Sequence, residues 1–206
     1  MMEKNFKAQI ITLPEAYEMA YRVSRQISES SENFEIVIGI SRGGFPPARM
    51  ICDFLNIKTL TSLQIRHYTG GGDAKQSITI TDPVKIDLTG KHVLIVDDVN
   101  DSGKTLQAAF EHISSLNPGL LKTAVLHEKE STAFSAHYTG SILSDWRWLI
   151  YQWAVAEDLL EFLNNDNMLQ ADEANTIRHL REKYDLEVDK GLFKKVISMK
   201  KSYITE

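Results

Sequence analysis

The run HVLIVDD at 92–98 leaves few folds open. Val93, Leu94, Ile95 and Val96 are consecutive apolar residues, so a strand built from them is buried on both sides, and that arises where helices cover both faces of a parallel sheet. The run then ends in two adjacent carboxylates, Asp97 and Asp98, at the point where the chain must leave the core. Charge there is costly unless it is paired or put to use.

The rest of the chain repeats this strand-then-helix rhythm. Thr12-Leu13-Pro14-Glu15 reads as a capping box that opens a helix over 13–30. EIVIGIS at 35–41 predicts a strand closed by Arg42-Gly43-Gly44, and Pro46-Pro47 opens a helix carrying Met50, Ile51, Phe54 and Leu55. Further strands are expected at 59–68, from Ser77 to Thr81 and at 122–128. Leu106, Ala109, Phe110 and Ile113 mark a helix that stops at Asn117-Pro118-Gly119. Gly70-Gly71-Gly72 predicts a weakly restrained loop. From Ala156 onward the pattern is helical, which divides the chain into an α/β parallel-sheet domain over 1–155 and a helical C-terminal extension over 156–206. Acids interleave with bases in the extension, as on solvated helices that pack against the sheet domain or a second subunit.

Composition narrows the function. The net charge of −5 over 206 residues disfavours a nucleic-acid binder. Cys52, the one cysteine, sits among apolar residues and is expected to be a buried small hydrophobe in a reducing compartment. No apolar run approaches the length of a bilayer span, and the N-terminus has no signal-like apolar core, so a cytoplasmic protein is expected. The six histidines show no metal-ligand spacing, which disfavours a zinc site, and no serine or cysteine nucleophile arrangement is visible.

In open α/β sheets, ligands gather at the carboxyl ends of the strands, where helix N-termini present N–H groups to anions. Residues 97–105 occupy that place. Gly103-Lys104-Thr105 matches the end of the triphosphate pattern G-x-x-x-x-G-K-[ST], but Asp98 stands where its first glycine is required, and a carboxylate would repel the phosphates. Gly39 and Gly44 have the outer spacing of a dinucleotide fingerprint, with Ser41 in place of the middle glycine. What fits is a loop with two jobs: Asp101 to Thr105 wraps one phosphate, while Asp97 and Asp98 accept from vicinal hydroxyls or hold a hydrated divalent cation. Together these describe a sugar phosphate.

VLIVDDVNDSGKTL at 93–106 resembles the phosphoribosyl-pyrophosphate (PRPP) signature of the type I phosphoribosyltransferases, and its D-S-G-K-T ending is similar to the hypoxanthine/guanine branch. GISRGG at 39–44 resembles the pyrophosphate loop of that family, and two adjacent glycines with an arginine beside a helix start suit a pyrophosphate on physical grounds as well. The glycines at 70–72 fall where the family carries its flexible hood. Lys129 falls where its purine enzymes place a lysine that reads the exocyclic oxygen of a 6-oxopurine. WLIYQW at 148–153 resembles the W-x-x-x-P-W stretch of bacterial xanthine-guanine enzymes and archaeal relatives, with Gln152 in place of the proline. The resemblance covers about residues 35–155.

It implies the type I phosphoribosyltransferase fold, with a flexible hood loop and here a helical extension. The implied reaction is Mg2+-dependent transfer of 5-phosphoribosyl from PRPP to hypoxanthine, guanine or xanthine in purine salvage, releasing pyrophosphate. By the same resemblance Asp101 is the catalytic base, and Asp97, Asp98, Asp101, Ser102, Gly103, Lys104 and Thr105 hold PRPP and its 5-phosphate. Ser41, Arg42 and Gly43 hold pyrophosphate; Lys129, Trp148 and Leu149 hold the base; Asp97, and Asp98 through water, hold Mg2+. The expected partners are PRPP and a purine base, with neither nucleic acid nor membrane, in a homodimer or homotetramer. Two alternatives stay open: transfer to adenine or a pyrimidine, and a non-catalytic PRPP-sensing regulator. ANTIRHLREKYDLEV is the one candidate DNA-binding segment for a regulator, and its acids weaken it. Arg42, Asp101, Lys129 and Trp148 together favour the enzyme.

Overall fold

A computed structural model describes residues 6–68 and 77–203, so the expected hood loop at 70–72 lies outside the described residues. In chain order they form β1 (Ala8–Ile11), α1 (Leu13–Glu29), β2 (Ile36–Ser41), α2 (Phe45–Phe54), β3 (Thr59–Tyr68), β4 (Ser77–Asp82), β5 (His92–Asn100), α3 (Lys104–Ser114), β6 (Leu120–Lys129), β7 (Tyr138–Leu143), β8 (Trp148–Tyr151), α4 (Val155–Asn165), α5 (Glu173–Tyr184) and α6 (Lys190–Ser198), with a final 3-10 turn at Lys200–Ser202. The chain divides into two compact units, 14–145 and a second made of 1–13 with 146–206.

The larger unit holds a six-stranded sheet in the order β4-β3-β2-β5-β6-β7. Strands β3, β2, β5, β6 and β7 run parallel. Because successive side chains of a strand point to opposite faces, the continuous apolar runs of β2 and β5 feed two layers of core at once. On one face Ile36, Ile38, Val93 and Ile95 pack with Leu106, Ala109 and Ile113 of α3. Truncating a residue so fully enclosed, such as Ile95→Ala, costs about 2–5 kcal/mol. On the other face, Gly39 lets α2 come close: a β-carbon there would stand 3.2 Å from that of Ala48.

β4 departs from the parallel pattern and runs antiparallel along β3, with Arg66 opposite Thr79. Only residues 69–76 separate the two strands, fewer than the dozen or so that a parallel crossover needs. β7 was not expected from sequence. YTGSIL carries no apolar run, and its place is set by pairing with β6, where Val125 lies opposite Thr139.

In the smaller unit β1 and β8 form a two-stranded parallel sheet, with Ile10 opposite Ile150. Ala8 and Ile150 enter the same core as Leu159 and Leu163 of α4, Leu180 and Tyr184 of α5, and Phe193 and Val196 of α6. The helical extension therefore closes a core of its own with β1 and β8. The compact units divide at residues 13 and 145, whereas the sequence pattern placed the boundary at 155. Asp172 caps α5 by accepting from Asn175 N at 3.0 Å, and Asp189 caps α6 by accepting from Gly191 N at 2.8 Å. No helix among the described residues is long and apolar enough to cross a membrane.

Candidate functional site

β2 and β5 are adjacent in the sheet, and the turn that follows β2 lies against the carboxyl end of β5. β2 ends at Ser41, which is joined to Arg42 by a cis peptide bond. The chain then turns sharply into α2, with Gly44 N donating to Ile40 O at 2.8 Å. Gly43 and Gly44 lie against the acids of β5. A β-carbon on Gly43 would stand 2.8 Å from Cγ of Asp98, and one on Gly44 would stand 2.9 Å from Cα of Asp97. Backbone packing thus requires Gly44, while Gly43 leaves room for the Asp98 carboxyl, and the structure brings the expected pyrophosphate loop and the two carboxylates together. Asp98 Oδ1 accepts from Val99 N at 2.8 Å, and Asp97 Oδ1 accepts from Asp98 N at 3.0 Å. Burial, and then the neighbouring charge of Asp98, push the Asp97 carboxyl well above the usual carboxylate range, with the Asp98 amide partly opposing.

Three residues beyond β5, Gly103 is the N-cap of α3, in the left-handed region at φ 85° with no side-chain cap. Asp101 is therefore not the helix cap, the structural role its position would otherwise suggest. Gly103 answers a second demand from the segment 130–137, since a β-carbon there would stand 2.6 Å from Phe134 N and 2.9 Å from Thr132 Oγ1. Ala133 N also donates to Ser102 O at 3.3 Å. Ser102 and Lys104 are exposed, and Asp101 and Thr105 are half-buried. Gly103 brings no side-chain acceptor of its own to the first turn of α3, and a helix start at the end of a parallel strand offers an anion N–H groups and the positive end of the helix dipole.

Lys129 ends β6 and is 2% exposed, so it is not the solvated strand end that its position also allowed. His127 lies two residues earlier on the same strand face. Burial, and then the Lys129 charge, lower its pKa to about 4, against a smaller opposing pull from Glu15. Sequence reasoning did not single out Asn100 and Glu128, which are buried beside Asp101 and Lys129. The available signal was a polar residue at the end of each buried strand.

In the smaller unit, Trp148 opens β8 and is 41% exposed, and its Nε1 donates to Asp158 Oδ1 at 3.1 Å. Leu149 is buried. Gln152 N donates to Ile11 O at 3.1 Å, a bond that a proline at this position could not make.

Among the described residues no group of three or more His, Cys, Asp or Glu could hold a metal ion. Asp97 and Asp98 are a two-carboxylate set, which fits Mg2+ of the kind bound by one or two carboxylates together with waters and substrate phosphates.

Comparison with known proteins identifies the family. The phosphoribosyl transferase domain family matches residues 8–157. Among curated relatives, the xanthine-guanine phosphoribosyltransferase of Cereibacter sphaeroides is 27% identical over 143 residues, covering 69% of this chain and 82% of the relative. The hypoxanthine-guanine phosphoribosyltransferase of Aquifex aeolicus is 29% identical over 124 residues, covering 57% and 70%. Among solved structures, the purine phosphoribosyltransferase from Pyrococcus horikoshii superposes with a TM-score of 0.62 at 28% identity, covering 70% of this chain and 93% of that one.

Proposed function

The chain belongs to the phosphoribosyl transferase domain family, and on that premise we propose that it transfers 5-phosphoribosyl from PRPP to a 6-oxopurine, hypoxanthine, guanine or xanthine. The products are the nucleoside monophosphate and pyrophosphate, and the setting is purine salvage by a cytoplasmic homodimer or homotetramer. The observation that carries this reading is the abutment of Gly43 on the Asp98 carboxyl, with Gly103, which has no side chain to cap α3, two residues beyond Asp101. A loop for a leaving anion, two hydroxyl-accepting carboxylates and a phosphate cradle then follow one another in the order of the parts of PRPP.

In the chemistry, Ser102 to Thr105 hold the 5-phosphate on the N–H groups and hydroxyls at the start of α3. Asp97 and Asp98 accept from the ribose hydroxyls. They would also hold Mg2+, whose charge when bound neutralises pyrophosphate as it departs. Ser41, Arg42 and Gly43 receive the same group through backbone N–H groups and the guanidinium. Displacement at C1 of the ribose passes through an oxocarbenium-like state, so holding the base, sugar and leaving group in line supplies most of the acceleration. Asp101 takes the proton from the purine ring nitrogen as the glycosidic bond forms. Lys129, buried and cationic, donates to the exocyclic oxygen, and Trp148 and Leu149 keep the stacking and edge-reading roles implied by the resemblance.

The test is to incubate the protein with Mg2+ and PRPP and to add each of hypoxanthine, guanine, xanthine, adenine and uracil in turn, following pyrophosphate. Release is expected with at least one 6-oxopurine. Release with adenine or uracil alone would reassign the acceptor, and silence with every base would overturn catalysis.

A further inference from the structure

Asn100 and Glu128 lie opposite each other in the pairing of β5 with β6, at 3% and 6% exposure. Asn100 Nδ2 donates to Glu128 Oε2 at 2.8 Å and to the carbonyl of Phe134 at 2.7 Å. The same Glu128 oxygen accepts from Ala136 N at 2.7 Å. One amide and one carboxylate thus tie together the ends of two strands and the segment that leaves β6. That segment is pinned at its start by Thr132 N donating to Lys129 O at 3.0 Å, and it supports the turn after β5 through Ala133 N to Ser102 O and the contact of Phe134 N with Gly103.

We propose that the Asn100–Glu128 pair is a positioning element for the transfer reaction: it sets Asp101 and Lys129, the next residue after each, and the 102–103 turn in one fixed frame. The inference rests on the roles proposed above for Asp101 and Lys129. A buried carboxylate and amide cost desolvation that apolar residues of the same size would avoid, so core stability alone gives no reason for this pair. Hydrogen bonds supply direction, which packing does not, and three of them converge on the residues flanking the reacting groups. The register matters as much as the chemistry. Because Asn100 faces Glu128 across the ladder, Asp101 and Lys129 leave their strands at the same level of the sheet.

The test uses Asn100→Ala, Glu128→Ala, their double variant and Glu128→Gln in the full chain. Steady-state kinetics is followed alongside hydrogen–deuterium exchange of residues 101–105 and 130–137. Displacing a catalytic group by about 1 Å can cost about 100-fold, so kcat is expected to fall at least about tenfold in each alanine variant, by more than KM for PRPP changes. The double variant should lose little more than the worse single one, because both act through one network. Glu128→Gln keeps an acceptor oxygen and should recover most of the lost kcat, and exchange at 101–105 should speed up in the alanine variants alone. Folded alanine variants with wild-type kcat would overturn the proposal. If Glu128→Ala does not fold, Asn100→Ala and the milder Asn100→Ser carry the same expectation for kcat and exchange. Wild-type silence with every base would instead overturn the functional reading, and the exchange result would then decide this inference by itself, with unchanged exchange at 101–105 ruling it out.

Discussion

Asp101 stands two residues before the N-cap of α3, and the N-cap is a glycine, so Asp101 does not hold the N-cap position. That separates two readings that the sequence leaves superimposed. Asp101→Asn keeps the shape and removes the capacity to take a proton, so turnover is expected to fall at least about tenfold while PRPP still binds. Single-turnover kinetics beside calorimetric titration of PRPP checks this, and near-normal turnover would take Asp101 out of the chemistry. Gly43 supports a complementary prediction. A methyl group there would occupy the space of the Asp98 carboxyl group, so Gly43→Ala should weaken PRPP binding and turnover at least about tenfold, with a melting temperature shifted by only a few degrees. Wild-type kinetics in that variant would show that the Asp98 position is not needed. At this scale the acids were legible because charge at the end of a buried strand is anomalous. The burial of Lys129 and the Asn100–Glu128 pair were not, since identity does not reveal exposure and a cross-strand partner is known only once the register is.

Elements with a strong period of their own were readable from the chain. β3, β5 and α3 form where their apolar patterns place them. β7 and β1 were not readable, because short strands with mixed polarity owe their existence to the neighbour they pair with. β8 shows how such pairing reshapes a family pattern. With Gln152 N donating to Ile11 O just past the β1–β8 ladder, the smaller unit uses an N–H that the related W-x-x-x-P-W pattern gives up. Gln152→Pro should therefore destabilise that unit by about 1 kcal/mol or more, through the lost bond and the carbonyl left without it. Trp146, Trp148 and Trp153, the only three tryptophans of the chain, all fall in this unit, so its unfolding can be followed by tryptophan fluorescence in urea. An unchanged midpoint would show that the bond contributes nothing.

At the scale of the whole molecule, each unit has a hydrophobic cluster of its own. This matters for pH. His127 belongs to the larger unit, is 7% exposed, and has its pKa lowered to about 4 by burial and by the Lys129 charge, with Glu15 opposing. The folded state thus holds the imidazole neutral while the unfolded chain protonates it near 6.5, so the unfolded state binds more protons throughout that interval. Stability from this group is fully present above pH 6.5 and is lost as pH falls toward 4, by up to about 3 kcal/mol at about 1.4 kcal/mol for each pKa unit. His137, in the same unit, has its pKa lowered by burial and by Lys122, with Glu32 opposing, and adds a loss of the same sign. The β6 amides lie in this unit, so their exchange protection between pH 7 and pH 4.5 is the measure. Protection should fall with pH in the wild type. In His127→Gln, whose side chain takes up no proton, the decline should be shallower, the remaining slope combining the loss from His137 with an opposite contribution from Asp97, whose raised pKa favours the folded state as pH falls. Equal slopes in the two proteins would mean that the imidazole gains its proton without leaving the folded strand.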